Sequence, residues 1–87
     1  MGTPDGFKLA IGIQEYDFFV KPGERSAIDV IVSRENGSML AKARLLESGA
    51  FIIYDSPLNS LEQLGIEKLL EVGKPDIENA AIGLATA

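Results

Sequence analysis

The sequence predicts an α+β domain in which an antiparallel meander of five short strands, open or partly curled, is followed by one or two C-terminal helices packed on the sheet. Three observations predict it. Apolar side chains recur at a period of two from Phe7 to Asp55, the spacing of strands with one buried face. The connections between these stretches are too short for crossover helices, so neighbouring strands pair antiparallel. From Ser60 onward the period becomes that of an amphipathic helix.

Met1–Gly6, with Pro4 and two glycines, reads as a flexible leader, and residues 7–87 as one small domain. In the first strand Phe7, Leu9, Ile11 and Ile13 share a face. The second, Tyr16–Val20, sets Tyr16, Phe18 and Val20 against Asp17 and Phe19. Lys21-Pro22-Gly23-Glu24 has the residues of a type II turn. In the β-rich stretch Ala27–Ser33, Ile28, Val30 and Val32 point one way and Asp29 and Ile31 the other.

Residues 39–47 are ambiguous. Met39, Leu40, Ala43 and Leu46 fall at helical spacing, Ser38 could cap and Gly49 could terminate. The register points to a strand instead. A two-residue hairpin turn at Asn36-Gly37 places Val32 opposite Ala41, Val30 opposite Ala43 and Ile28 opposite Leu45, with Asp29 facing Arg44 on the other side. A similar turn at Ser48-Gly49 lays Leu45 against Ile52 and Ala43 against Tyr54 in a fifth strand, Ala50–Asp55. Ser60 and Gln63 then stand at capping-box spacing before a stripe of Leu61, Leu64, Leu69 and Val72 that Gly73 ends. Pro75 opens a second helix with Ile77, Ala80, Ala81 and Leu84 at helical spacing.

The composition narrows function mainly by exclusion. Eight Lys and Arg against thirteen Asp and Glu leave a net charge of −5, which repels nucleic acid and anionic membranes. There is no Cys and no His, so thiol nucleophiles, thiolate or imidazole metal sites and the commonest general base are missing. No Gly-rich phosphate loop occurs, and no cofactor or metal site is expected. With neither a signal peptide nor a membrane span in view, the expected compartment is the cytoplasm.

What remains for catalysis is carboxylates, Ser, Tyr, Lys and Arg, enough for an acid/base pair or a hard-cation site. Glu15, Asp17 and Asp55 are the candidates for a small carboxylate-dependent enzyme or an accessory subunit of one, although each also reads as an ordinary strand-flanking or turn residue. The more informative feature is the second face of the sheet. The inferred register puts Ile31, Leu46, Phe51 and Ile53 there, among Asp29, Lys42, Arg44 and Asp55, a more apolar set than a solvated face carries. Either the C-terminal helices and a curling sheet cover that face, or another protein does. A chain of this length buries only about 60–65% of its unfolded surface, which favours association. The sequence therefore points to a non-catalytic interaction or self-assembly module, homo-oligomeric or bound to a protein partner, with Ile31, Leu46, Phe51 and Ile53 as its interface.

Overall fold

The computed structural model describes residues 6–22 and 27–86. Its elements are β1 (Gly6–Ile11), β2 (Gln14–Pro22), β3 (Ile28–Arg34), β4 (Met39–Leu45), β5 (Phe51–Asp55) and one helix, α1 (Ser60–Thr86). The strands form a single open sheet in the order β1-β2-β3-β4-β5, each pair antiparallel, as the short connections require. Residues 39–45 are a strand, not a helix. The expected leader lies outside the described residues except for Gly6, which begins β1; of the expected turn at 21–24, Lys21 and Pro22 belong to β2 and the other two residues lie outside the described ones.

The inner face of the sheet carries the core. Phe18, Val20, Val30, Val32, Ala41 and Ala43 are fully enclosed or nearly so, and the rings of Phe7 and Phe18 stack with centroids 5.0 Å apart, fastening β1 to β2. Ile13 departs from its expected place on this face. β1 ends at Ile11, which pairs with Gln14, so Ile13 sits in the intervening turn and is 97% exposed.

Two hairpins explain where the expected register holds and where it fails. At the β3–β4 turn Arg34 N donates to Ser38 O at 2.8 Å and Gly37 N to Arg34 O at 2.8 Å. The loop is therefore three residues, Glu35–Gly37, with Gly37 at φ 91° in the left-handed region that a side chain disfavours. An extra loop residue should shift every pair beyond it. A bulge between Val32 and Ser33 absorbs the shift, so Val32 meets Ala41, Val30 meets Ala43, Ile28 meets Leu45 and Asp29 meets Arg44, the neighbours expected from a two-residue turn.

The β4–β5 turn has the same form, with Leu46 N donating to Ala50 O at 2.8 Å and Gly49 N to Leu46 O at 2.9 Å. Here the ladder is uninterrupted until an irregularity between Lys42 and Ala43. Leu45 consequently pairs with Phe51 and Ala43 with Ile53, whereas the shorter turn had assigned Ile52 and Tyr54. A slip of one residue exchanges the two faces of β5.

The helix also corrects the sequence reading. Its N-cap is Asn59, one residue before the expected Ser60: Asn59 Oδ1 accepts from Glu62 N at 2.8 Å, and Asn59 N donates to Glu62 Oε1 at 3.3 Å, a reciprocal box. α1 then runs as one helix through Pro75, where a second helix was expected to start. The side chains turned to the sheet are Ile66, Leu69, Leu70 and Ile77, with Ala80 and Ala81 partly buried beyond them. That row keeps helical spacing across Gly73 and Pro75, so packing holds the helix together where local propensity would break it. Gly73 lies in the row because nothing larger fits easily: a Cβ there would stand 3.3 Å from Phe18 Cε2 and 3.4 Å from Leu9 Cδ2. The expected stripe is largely misplaced, since Leu61, Leu64 and Val72 are exposed and only Leu69 belongs to the core.

Candidate interaction surfaces

α1 contacts β1, β2, β4 and β5 from the inner side, and no described element covers the outer face. On that face Phe19 pairs across β2–β3 with Ile31, and Ile52 and Tyr54 project from β5. Phe19, Ile52 and Tyr54 are each about half exposed, at 49%, 49% and 50%, and Ile31 is partly buried between its neighbours. Phe19, Ile31 and Tyr54 border a shallow depression of about 350 Å³, with Lys21, Asp29 and Lys42 beside them.

Asp17 and Asp29 on this face are both ion-paired. Asp17 takes Lys8 at 3.3 Å and Asp29 takes Arg44 at 2.8 Å. Arg44 also lies 5.2 Å from the centre of the Tyr54 ring, so its cation is held between a carboxylate and a π face. In the ladder Lys42 stands opposite Asp55 and Lys21 opposite Asp29. The acidic excess of the chain lies in part on α1, where Glu62, Glu67, Glu71, Asp76 and Glu78 outnumber Lys68 and Lys74.

Of the four residues assigned to the interface from sequence, Ile31 is on the outer face. Leu46 is partly buried at the mouth of the β4–β5 turn. Phe51 and Ile53 pair with Leu45 and Ala43 and pack against the core, because of the one-residue slip in β5. Phe19, Ile52 and Tyr54 take their place. The polar hydroxyl of Tyr54 was the available signal, since a Tyr is easier to place on a wet face than Phe51 or Ile53.

The candidate carboxylates are spread out. Glu15 is exposed near the start of β2, Asp17 is engaged by Lys8, and Asp55 stands at the end of β5, three strands and so roughly 14 Å from β2. The structure does not bring them into one cleft. Among the described residues no group of three or more acidic side chains is placed to hold a metal ion, and no helix is long and apolar enough to cross a membrane.

A second surface lies beside α1. A groove of about 440 Å³ opens between the first half of the helix and one end of the sheet, walled by Ile11, Leu40, Leu58, Leu69 and Val72. Arg34 and Lys68 stand at its border with Glu62 and Tyr16.

No family model matches this chain, and neither the curated proteins nor the solved structures searched gave a match.

Proposed function

We propose that this chain is a non-catalytic self-assembly module whose outer sheet face packs on the same face of a second copy. The observation that carries this reading is the uncovered outer face, with Phe19, Ile31, Ile52 and Tyr54 beside the Lys8–Asp17 and Asp29–Arg44 ion pairs. An acidic chain meeting its own copy suffers like-charge repulsion wherever its excess carboxylates face each other. The helix side carries such an excess, and the sheet face does not. A two-fold arrangement buries identical patches on each other and forms a sandwich with sheets about 10 Å apart and strands within about 30°.

The size is adequate. Five strands about 4.8 Å apart, each about six residues long at about 3.3 Å per residue, give a footprint of roughly 500 Å². Side-chain relief brings the accessible area toward the about 800 Å² per partner of a standard interface.

Sedimentation velocity across the micromolar range tests the proposal. The unaltered chain should sediment as a dimer, and Phe19→Asp, which sets a charge in the apolar centre opposite its own copy, should sediment as a monomer with an unchanged circular dichroism spectrum. A chain that stays monomeric at several hundred micromolar, or a Phe19→Asp variant that dimerises equally well, refutes it.

A further inference from the structure

We propose that the groove between α1 and the sheet end binds a single-chain amphiphile with an anionic head, of the kind a free fatty acid represents. The proposal is independent of the sheet-face reading.

The groove is apolar at its base. Leu40, Leu69 and Ile66 are buried beneath it, and Ile11 and Val72 rise at its sides with 42% and 59% of their surfaces exposed. Its volume of about 440 Å³ is within the range of sites that enclose small ligands, and its lining has their usual character of apolar walls with a few polar groups. The helix contributes apolar surface here beyond its buried row, since Val72, which is exposed, lines the groove beside Ile66 and Leu69. The opposite flank carries Gln63, Glu67, Glu71 and Lys74.

The charge at its border gives the ligand its sign. Among the described residues neither Arg34 nor Lys68 makes an ion pair, in a chain with an excess of acidic groups. Glu62, the acidic neighbour, is engaged in the N-terminal box of α1, where its carboxylate accepts from Asn59 N and lies at the positive end of the helix dipole. A carboxylate head at the guanidinium and the ammonium, which line the groove together with Tyr16, would gain charge-assisted hydrogen bonds. The alkyl chain would lie on Leu40, Leu58, Leu69 and Val72. A neutral alcohol of the same length would keep the apolar contact and lose the head.

The test is a titration of the isotope-labelled full chain with sodium laurate below its micelle-forming concentration, read by amide chemical shifts. Saturable shifts confined to Ile11, Tyr16, Leu40, Gly65 and Val72 are expected. Dodecanol, and laurate with the Arg34→Gln/Lys68→Gln double variant, should bind about tenfold more weakly. Both substitutions are at exposed positions, and the unliganded spectrum of the variant reports whether its fold is kept. Absence of saturable shifts, equal affinity in the variant, or shifts centred on Phe19 and Ile52 each overturn the proposal. So does binding to phosphatidylglycerol vesicles without binding to monomeric laurate, which would assign the groove to a membrane surface.

Discussion

Replacing Ile52 and Ile53 in turn by Thr tests the face assignment of β5 on which the association surface depends. Both changes keep a β-branched side chain, so strand propensity is nearly constant and burial decides the outcome. Ile53 is partly buried, opposite Ala43 and against the core. Ile53→Thr removes apolar volume worth about 0.8 kcal/mol per CH₂ and sets a hydroxyl in an apolar setting at about 1–3 kcal/mol, a sum that the partial burial of Ile53 reduces to about 1.5–3 kcal/mol. Ile52, half exposed beside Tyr54, should lose about 0.5 kcal/mol or less. With a urea dependence near 1 kcal/mol/M for a chain this small, the midpoint falls by about 1.5–3 M for Ile53→Thr and by about 0.5 M or less for Ile52→Thr. The chain has no Trp, so circular dichroism is the readout, at low protomer concentration where association contributes least. Equal losses, or a larger loss at Ile52, would mean that Phe51 and Ile53 face outward after all, and the apolar patch would have to be redrawn.

Other expectations follow from the helix. Pro75 is exposed inside α1, so Pro75→Ala restores a backbone donor and should raise stability by up to about 3 kcal/mol in urea denaturation; a loss would show that the ring fixes the helix path. A Cβ at Gly65 would meet nothing within 4 Å, and Gly65→Ala should gain about 1 kcal/mol, whereas Gly73→Ala should gain nothing or lose stability because Phe18 and Leu9 already stand at 3.3 and 3.4 Å. Asn59→Ala removes the cap and should cost about 1 kcal/mol by the same assay, with Ser60→Ala costing less.

The meander was legible because alternation and Gly-containing turns sufficed to define it. The β3–β4 pairs were legible in a more instructive way. Counting outward from Asn36-Gly37 as a two-residue turn misjudges the loop, yet the bulge beside Ser33 cancels the error before the core begins. At Ser48-Gly49 the same misjudgement meets no such bulge until Ala43 has paired, and Phe51 and Ile53 change sides. A glycine at the end of a short loop fits both turn lengths, so local chemistry alone leaves the register open by one residue. In the helix the sequence carries two apolar arcs, Ile66, Leu70 and Ile77 beside Leu61, Leu64 and Val72. Which arc meets the sheet depends on where Gly73 admits close approach to Phe18, a tertiary fact.

The two candidate surfaces share one origin, the use of a single helix where the sequence allowed one or two. A helix is about 10–12 Å across, and a five-stranded sheet about 24 Å wide. Two helices could divide between the faces or lie side by side on one of them. One continuous helix, held together past Pro75 by its row of Ile66, Leu70 and Ile77, serves only the inner face. Its buried row closes over Phe18 at Gly73, and the exposed Val72 is left without a neighbouring helix among the described residues. The outer face receives no cover from the described chain, and its carboxylates are matched by Lys8 and Arg44. Continuity of α1 thus leaves apolar surface on two sides of a small domain, and the chemistry differs between them: matched charge around the sheet patch suits an identical surface, and the cations of Arg34 and Lys68 at the helix groove suit an anion.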